Sequence, residues 1–563
     1  MLLPKKWGQG QLFAFSALDG PSYAGDDFAG MLSGDRIGIR FFSKVRRELA
    51  LVNGKGSNPE FDAVTGDYIQ LHFDGQEPMG ILYADQHLII GKTAGEALPV
   101  VFTEGRYQAR NEDGATLQDT LDGEITGLLC EENRFAFAFG HSGQEVSRLL
   151  RRGIRMDFRE EAEKKLDFFR KLPIGDSHPY PRLYAKCASV MKTQLYSPEG
   201  EFSTIWSTPD RLPHAKCWLW DSVFHALGHR HIDPKLAEDL IRALWVHQDE
   251  DGFIPHMAFL GEKSNITQPP VMGWGSWKLY ETSHDKAFLA EAYAHNRSFL
   301  NWCDQNRRLS DKALYTWETH GDANCRCDEC GMDNSPRFDE KGPLYAIDFS
   351  CFMANDVRAM KRMADELHRP DEAAFYESWY TKIAEDVNRY LWSEEAQFYF
   401  DYSIPGKALH PVWSVASFLP LFAGICDDRQ AACLVHHLRD PESFGTPFPI
   451  PSVSRKDPTF GTDMWRGPVW INYNYMICEG LSQYGYGDFG REIMEKTIGF
   501  VNSWYQDTGT IYEFYDSNNR RASHYLNRKG PAFAPYNIDV RLQAIRDYGW
   551  SCTLLFDWLN QTW

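Results

Sequence analysis

The first part of the chain alternates polar and apolar residues in short runs, the pattern typical of half-buried strands. Turn signals such as Asp113-Gly114 and Asp122-Gly123 separate such runs. Short strands at this spacing predict a β-sandwich domain over residues 1–165. No catalytic constellation is visible there, so we expect this domain to act as a scaffold. The alternating runs are residues 36–42, 68–73 and 134–139.

From about residue 180 the apolar positions recur at helical spacing instead. The clearest helix follows Asp233-Pro234, where Asp233 suits the N-cap and Pro234 the first helical position. About twelve such segments, joined by loops rich in Gly, Pro, Trp and Asp, fit six helical hairpins closed into a ring. The sequence thus predicts a mainly α protein, with an (α/α)6 barrel catalytic domain over residues 180–563 and a helical linker at 166–179. The predicted helices begin near residues 180, 217, 233, 270, 285, 345, 370, 412, 427, 467, 487 and 549.

Composition and charge exclude several classes of function. The chain of 563 residues is too long for one small core, and its 43% apolar and 24% charged residues are typical of a soluble globular protein. A formal charge of −19 disfavours binding to nucleic acid or to an anionic membrane surface. The start of the chain lacks the apolar core of a signal peptide, and no apolar run approaches a membrane span. We therefore expect a cytoplasmic protein whose twelve scattered cysteines are reduced thiols.

The stretch most informative about function is the polar turn at residues 330–338, which a glycine and a proline keep from being helical. It carries one carboxylate, Asp333. Its neighbours Asn334, Ser335 and Arg337 offer an amide, a hydroxyl and a guanidinium to a sugar. A loop-capping role for Asp333 is the structural alternative.

A second turn, at residues 509–516, carries Glu513 between aromatic residues. We expect Asp333 and Glu513 to face each other across a sugar pocket and to hydrolyse a glycosidic bond. Glu513 would otherwise be an ordinary surface residue. Glu329 is the rival acid and Asp516 the rival base.

Four further loops combine aromatic rings with a few polar groups, the mixture that sugar sites need. Trp220 and Asp221 open the second helix, where Asp221 could also be a plain acidic residue of the first helical turn. Gln268 precedes two prolines, which favour an extended backbone and an inward-pointing amide. Trp465 and Arg466 precede a later helix and could instead form a packed stack. Trp550 opens the last helix, where pocket floor and ordinary core are equally compatible with the sequence.

Together these motifs resemble glycoside hydrolase family 63, which includes processing α-glucosidases and mannosylglycerate and glucosylglycerate hydrolases, and more distantly the trehalases. The resemblance covers about residues 180–563, and the motifs follow the family's order. It implies an (α/α)6 barrel, often with an N-terminal β-domain, and hydrolysis with inversion at the anomeric carbon. It also places the general acid on Asp333 and the general base on Glu513. The sugar-binding residues it implies are Trp220, Asp221, Gln268, Asn334, Arg337, Trp465 and Arg466.

The chemistry agrees with this assignment. An inverting glycosidase needs a protonated carboxyl at the leaving oxygen and an ionised carboxylate that activates water on the opposite face, roughly 6.5–9.5 Å away. Loops so far apart in sequence can supply this pair only if a ring brings them together. An aromatic, water-poor pocket would help the acid to keep its proton.

The segment before the acid departs from the family pattern. It reads His320-Gly321-Asp322-Ala323-Asn324-Cys325-Arg326-Cys327-Asp328-Glu329-Cys330, with Glu329-Cys330-Gly331 where relatives tend to have Glu-Ser-Gly. Three cysteines and a histidine could bind zinc, but the Cys-x-Cys-x-x-Cys spacing is not that of a usual zinc knuckle. We expect free thiols, no metal and no cofactor, with a disulfide as a further alternative.

Rival functions remain at this stage. A sugar epimerase uses the same ring, but it needs histidine proton carriers that these motif loops do not offer as a clear pair. A binding protein with an inactive site and a phosphorolytic enzyme are further alternatives. The expected partner is a small carbohydrate, most simply a small α-glucoside or oligosaccharide, with a mannosylglycerate, glucosylglycerate or trehalose-type specificity as the alternative. The sequence does not reveal the sugar, its linkage or the oligomeric state.

Overall fold

The structure is a computed structural model that describes residues 2–562 except for 35, 43–45, 53–58, 74, 121, 176, 321–324, 341 and 531–543. Residues 321–324 of the cysteine-rich segment therefore lie outside the described part. The chain is 41% helical and 20% strand, so it is mixed rather than mainly α. Most of the strand residues lie before residue 141, where two antiparallel sheets form.

The first sheet has five strands in the order β1-β2-β3-β4-β9, and the second has eight in the order β10-β11-β12-β13-β8-β7-β6-β5. The three alternating runs of the sequence correspond to β3, β6 and β13, which confirms those predictions. The strands are β1 (Leu12–Phe13), β2 (Gly30–Leu32), β3 (Gly38–Phe42), β4 (Arg46–Val52), β5 (Glu60–Val64), β6 (Tyr68–His72), β7 (Met79–Asp85), β8 (Leu88–Lys92), β9 (Leu98–Thr103), β10 (Tyr107–Glu112), β11 (Ala115–Thr120), β12 (Ile125–Glu131) and β13 (Arg134–Gly140).

The eight-stranded sheet is covered on both faces. Ile81 packs in a core shared with the five-stranded sheet, whereas its neighbour Leu82 packs on the opposite face. Two helices, α1 (Gly143–Arg155) and α2 (Phe158–Arg170), cover that opposite face. Helix α2 overlaps the predicted helical linker at 166–179 only over residues 166–170, and it packs on the sheet. Helix α1 was missed, although Val146, Leu150 and Ile154 already recur at helical spacing.

The rest of the described chain is dominated by helices, and each predicted helix start has a helix or a 3₁₀ turn within a few residues. The segment expected near 412 begins as a 3₁₀ turn, Val415–Phe418, before the α-helix. These helices are α3 (Pro181–Thr193), α4 (Leu219–His229), α5 (Pro234–Trp245), α6 (Met272–Ser283), α7 (Lys286–Arg307), α8 (Ile347–Glu366), α9 (Pro370–Tyr390), α10 (Leu419–Ala423), α11 (Asp428–Arg439), α12 (Ile471–Gln483), α13 (Gly487–Thr508) and α14 (Gly549–Thr562).

Every second one of these helices belongs to an inner circle. Helices α4, α6, α8, α10, α12 and α14 contact one another in this order, and α14 contacts α4 again. Helices α3, α5, α7, α9 and α13 pack outside them. Gln268, Asp333 and Trp465 lie in the loops that precede α6, α8 and α12, whereas Trp220 and Trp550 lie in the first turns of α4 and α14. All five line one cavity, so these segments approach the same end of the circle.

Short strands and 3₁₀ turns brace these loops. The short strands are Leu195–Tyr196, Trp206–Ser207, Cys217–Trp218, Met257–Phe259, Glu262–Lys263, Leu344–Tyr345, Trp392–Ser393, Phe398–Tyr399, Asp401–Ser403 and Ala408–His410. The other 3₁₀ turns are Ala24–Asp26, Pro336–Phe338 and Ser523–Tyr525. In the described part of the chain, no helix is both long and apolar enough to span a bilayer.

Buried ion pairs join the sheets to the helices. The Lys192 ammonium of α3 lies 2.6 Å from Asp67 in the turn between β5 and β6. The Lys186 ammonium of the same helix lies 2.8 Å from Asp547, which also accepts a hydrogen bond from the backbone N–H of Leu12 at 2.9 Å. Breaking a buried pair leaves an uncompensated charge, so these contacts hold the two regions in a defined arrangement.

Candidate active site

One cavity of about 680 Å³ lies at the end of the helical circle where the motif loops meet. Side chains from six separate segments of the sequence line it, together with residues that the motifs did not include. A pocket of this size suits a small ligand. The lining residues singled out from the sequence are Trp220, Asp221, Gln268, Asp333, Trp465, Glu513 and Trp550.

The loop that carries Asp333 is shaped by tight backbone contacts. Gly331 has a positive φ of 70°, and a Cβ added there would lie 2.2 Å from a ring carbon of Trp220, so no larger residue fits. The Ser335 N–H donates to the Met332 carbonyl at 2.8 Å, which closes the turn around Asp333. The Asp333 side chain remains 20% exposed, towards the cavity, and one of its oxygens lies 2.6 Å from the Lys529 ammonium.

Glu513 is held more rigidly, with a side chain only 2% exposed. The Arg528 guanidinium donates to both carboxylate oxygens, at 3.0 and 3.2 Å, and the Ile545 N–H donates to one of them at 3.2 Å. Burial lowers the pKa of Arg528, but the Glu513 charge more than offsets this, so the pKa of Arg528 lies above its usual value. The Nη1 atom of Arg528 has no hydrogen-bond partner among the described residues, although it is buried at the cavity wall.

Asp221 is a further carboxyl group on the cavity. It sits in the first turn of α4 and is 2% exposed. Burial raises the pKa of Asp221 well above its usual value, and the charges of Glu513 and Asp333 raise it further. Its Oδ1 atom makes no hydrogen bond within the described part of the chain. A neutral carboxyl with an open oxygen can both donate to and accept from a ligand hydroxyl.

Aromatic rings form much of the remaining wall. Trp465 stacks on Trp470 with ring centroids 3.8 Å apart and planes 2° from parallel. Trp220 meets Trp550 edge to face at 5.1 Å. The indole nitrogens of Trp465 and Trp550 are buried without a partner among the residues described. These flat faces and unpaired donors match the C–H surfaces and hydroxyls of a sugar.

Gln268 links two of the predicted segments. Its side-chain oxygen accepts from the Trp220 N–H at 3.2 Å. That contact positions the amide at the cavity wall, as the two following prolines suggested.

Arg337 lies elsewhere. Its guanidinium is 1% exposed and donates to both Asp348 and Asp401, with distances from 2.5 to 2.9 Å. It does not line the cavity. Two carboxylates occupy this guanidinium, so Arg337 anchors the acid loop and is not placed to touch a sugar.

Asn334 and Arg466 also lie off the cavity wall. The Asn334 amide nitrogen donates to Asp463 at 3.0 Å, and its oxygen accepts from the Trp465 N–H at 3.0 Å. Arg466 donates to the Asn334 carbonyl at 2.9 Å and pairs with Asp339. These two residues therefore join the acid loop to the Trp465 loop, and their side chains do not line the cavity.

The rival acid and base are occupied by structural contacts. Glu329 is fully buried and pairs with Arg307 at 2.5 Å. Asp516 accepts hydrogen bonds from three backbone N–H groups of the following turn. Neither lines the cavity, whereas Asp333 and Glu513 do.

Sequence reasoning missed two cations and two histidines on the cavity wall, and it considered a third histidine, His320, only as a zinc ligand. The missed residues are Arg528, Lys529, His214 and His256. The signal for the cations was an adjacent basic pair before Gly530, but nothing local shows that such a pair turns inward. Burial lowers the pKa of His256 to about 4. The His214 ring lies 2.7 Å from Asp210, which orients it.

The three cysteines of the acid segment do not converge. Cys330 donates to the Cys327 carbonyl at 3.1 Å, whereas Cys325 faces the cavity. Side-chain atoms of Cys325, Asp328 and Asp333 lie within 4.8 Å of one another, a grouping that could hold a metal ion. The Lys529 ammonium, however, already contacts Cys325 at 3.4 Å and Asp333. The Lys529 ammonium is thus the cation that this grouping contacts. All twelve cysteines of the chain are free thiols.

Comparisons with known proteins place this site in a family. Residues 214–551 match the sequence model of the mannosylglycerate hydrolase MGH1-like glycoside hydrolase domain. The chain is 27% identical over 385 residues to mannosylglycerate hydrolase MGH1 of Selaginella moellendorffii, covering 53% of this chain and 75% of that protein. It is 28% identical over 405 residues to a probable mannosyl-oligosaccharide glucosidase of Schizosaccharomyces pombe, covering 58% and 49%.

A solved structure has a similar fold. The GH63 mannosylglycerate hydrolase from Thermus thermophilus, in complex with Tris and D-glycerate, superposes with a TM-score of 0.55. The match covers 67% of this chain and 99% of that chain at 22% identity, so it concerns the fold alone.

Proposed function

Because the chain belongs to glycoside hydrolase family 63, through its MGH1-like domain, and is a glycosidase, we propose that it cleaves an α-glycosidic bond with inversion. In this proposal Asp333 is the general acid and Glu513 the general base. The observation that carries it is that these two carboxylates, from loops far apart in sequence, line one cavity, and that each has a cation of its own.

The reaction requires two proton movements. Asp333 gives its proton to the glycosidic oxygen while the bond from that oxygen to the anomeric carbon breaks, so the electron pair leaves with the oxygen. Glu513 takes a proton from a water molecule that attacks the anomeric carbon from the opposite face. The products are an inverted sugar and an alcohol, and both carboxyl groups return to their starting states by exchange with solvent.

The sugar would be held by the remaining predicted residues of the cavity. We assign Trp220, Trp465 and Trp550 to its apolar faces, and Asp221 and Gln268 to its hydroxyls. The unpaired indole nitrogens and the open Asp221 oxygen support this, since a buried polar atom without a partner is costly unless a ligand satisfies it.

The same reasoning extends to the architecture. The cyclic contacts of the six inner helices support an (α/α)6 barrel over residues 180–563. The packing of α1 and α2 on the eight-stranded sheet supports a β-sandwich domain that extends a few residues beyond the predicted boundary at residue 165, into the C-terminal part of α2.

We propose as substrate a small α-glucoside or α-mannoside with a short aglycone. Relatives named as mannosylglycerate hydrolases support an acidic aglycone such as glycerate, whereas the relative named as a glucosidase supports a glucoside. Arg337 and Arg466, the cations first considered for an acidic aglycone, are occupied elsewhere, but Lys529 and Arg528 lie on the cavity. Trehalose remains an alternative, whereas a sugar epimerase does not fit a chain of this family.

The test begins with a panel of α-linked disaccharides and glycosyl-glycerates. The anomer of the first product, followed by proton NMR, is expected to be β. Asp333→Asn and Glu513→Gln are each expected to lower kcat by about 1,000-fold or more, because each removes a proton-transfer group. A product that is α at early times would contradict inversion.

Two matched variants serve as controls. Asp339→Asn changes a carboxylate of the same acid loop that pairs with Arg466 away from the cavity. Glu492→Gln changes an exposed carboxylate of α13. Both should keep kcat within about threefold. Near-normal turnover in Asp333→Asn or Glu513→Gln, with melting temperatures like that of the wild type, would refute the assignment.

A further inference from the structure

Lys529 makes a contact that the proposed chemistry does not explain. Its ammonium lies 2.6 Å from Oδ2 of Asp333 and 3.4 Å from the Cys325 sulfur, and its side chain is 8% exposed. Burial lowers the pKa of Lys529, but the charge of Asp333 and the neighbouring Cys325 more than offset this, so its pKa lies above the usual value. The side chain is therefore a permanent cation against the general acid.

The backbone at Lys529 has an uncommon conformation that hydrogen bonds stabilise. Lys529 has a φ of 52°, in the left-handed region that is unfavourable for residues other than glycine. The Asp463 carboxylate stabilises the turn by accepting from the N–H groups of Lys529 at 2.8 Å and Gly530 at 3.2 Å. The same carboxylate accepts from the side chain of Asn334, the residue next to the acid. One anchor therefore fixes both partners of the Lys529–Asp333 contact.

This contact opposes the task of a general acid. An ammonium beside a carboxylate stabilises its ionised form, whereas Asp333 must carry a proton when the glycosidic bond breaks. The negative groups around Asp333 act in the opposite sense to Lys529. His256 and Arg528 are further basic or positive groups whose charge interacts with that of Asp333. The groups that face Asp333 besides Lys529 are Asp221, Glu513, Cys325, Asp328, His256 and Arg528, with His320 next to Asp328 and His256.

We propose that Lys529 is a specificity-determining residue that couples the charge of the aglycone to the state of the general acid. An anionic group on the aglycone attracts the Lys529 ammonium away from Asp333, and Asp333 then carries the proton that it donates. A neutral aglycone leaves the ammonium on Asp333, and turnover is slower. The inference rests on the proposed function, because it needs Asp333 as the acid.

Charge and protons balance in this cycle. The Lys529 ammonium keeps its own proton and exchanges one anionic partner for another. Once the ammonium has moved to the aglycone, Asp333 takes a proton from solvent and passes it to the glycosidic oxygen when the bond breaks. After the anionic product leaves, Lys529 returns to the ionised Asp333.

The experiment compares two substrates that share one sugar, an α-glycosyl-glycerate and the corresponding α-glycosyl-glycerol. Wild-type enzyme is expected to prefer the glycerate. Lys529→Met keeps the length of the side chain but removes the charge, so kcat/KM for the glycerate should fall by about thirtyfold or more. For the glycerol compound the fall should be much smaller, because this substrate offers the ammonium no anionic partner.

The pH profile gives a readout that a merely structural role would not change. Lys529→Met removes a positive charge that lies against Asp333, so the pH dependence of kcat/KM for the glycerol substrate should differ between this variant and the wild type. Lys529→Arg retains the charge and should retain the preference for the glycerate. Lys496→Met, which removes an exposed ammonium 2.7 Å from Glu492, is the matched control and should change neither substrate.

Equal losses on the two substrates, or an unchanged preference, would overturn the inference. If Lys529→Met does not fold, as judged by its melting curve, inhibition of the wild type decides: free glycerate should inhibit competitively at concentrations where glycerol does not, and equal inhibition would contradict the role of Lys529. An enzyme that hydrolyses neither substrate nor any other α-glycoside would refute the proposed function instead.

Discussion

Asp221, Asp333 and Glu513 all line the cavity, and these three carboxyl groups differ in how their charge is compensated. Glu513 has a bidentate arginine and Asp333 has a lysine, whereas burial makes Asp221 the group for which ionisation is costly. A buried neutral carboxyl among two ionisable ones can donate a hydrogen bond to a sugar hydroxyl without adding repulsion. Burial and neighbouring charge thus separate the roles of groups that the sequence presents alike.

Asp221 provides a prediction about stability and pH. Its pKa is raised in the folded protein above the usual 3.8, so the folded state binds the extra proton and its stability falls as pH rises beyond that value. Asp221→Asn removes this effect. At pH 8 the variant should be more stable than the wild type by about 1 kcal/mol or more, and the difference should close near pH 4. Thermal unfolding followed by circular dichroism across this range measures it.

A second buried carboxyl serves as the control with the opposite sign. Burial raises the pKa of Asp557, but its contacts with His231, Arg230 and Tyr475 outweigh this, and the net shift is downwards. Its stabilising effect is therefore present at neutral pH and lost on acidification. Asp557→Asn should be less stable than the wild type at pH 8 and approach it as pH falls. A stability difference for Asp221→Asn that does not vary with pH would contradict the interpretation.

At the scale of elements, sequence reasoning succeeded where the signal is local. Asp285 caps α7 by accepting from Ala287 and Phe288, and Asp427 forms a capping box with Gln430 at the start of α11. Both patterns can be recognised within a few residues. This is why helix starts, and the loops that precede them, could be predicted.

The direction of a long side chain could not be predicted from the sequence, because its partners lie on other elements. Arg337 turns away from the cavity towards Asp348 in α8 and Asp401 in a distant short strand. Lys529 turns into the cavity because Asp463, from another loop, stabilises its turn. These contacts exist only after the helical circle has closed, so no pattern near either residue reveals them.

The acid loop is expected to tolerate no side chain at Gly331. Alanine there would place its Cβ against the Trp220 ring, at a φ of 70° that already disfavours L-residues. Gly331→Ala should destabilise the protein by about 2–3 kcal/mol and lower kcat, because either the loop or the ring must move. Chemical denaturation and steady-state kinetics measure the two effects.

Gly485, between α12 and α13, is the matched control. It has a similar φ of 78°, but a Cβ there would meet nothing within 4 Å. Gly485→Ala should cost only about 1 kcal/mol and leave kcat unchanged. Equal effects of the two substitutions would show that backbone strain, and not the contact with Trp220, sets the shape of the acid loop.

At the scale of the whole molecule, the N-terminal sheets reach the proposed general base through one carboxylate. Asp547 accepts from the Leu12 N–H of the first strand and from Lys186, and its other oxygen accepts from the Thr510 hydroxyl at 2.9 Å. Thr510 lies three residues before Glu513. The sequence suggested a scaffold domain without showing where it acts, because Leu12 and Asp547 are 535 positions apart.

This connection leads to a prediction that separates support of the site from support of the fold. Asp547→Asn leaves Lys186 buried beside a neutral group and disturbs the hydrogen bonds to Leu12 and Thr510, so it should cost about 3–5 kcal/mol of stability. A shift of the Glu513 loop should also lower kcat by about 10- to 100-fold.

The matched control is Asp67→Asn, which disrupts the buried pair with Lys192 at the same junction but away from the cavity. Asp67→Asn should lose comparable stability but keep the kcat of the wild type. Both variants are assayed well below their melting temperatures. An equal fall in kcat for Asp547→Asn and Asp67→Asn would mean that the N-terminal sheets act only through overall stability.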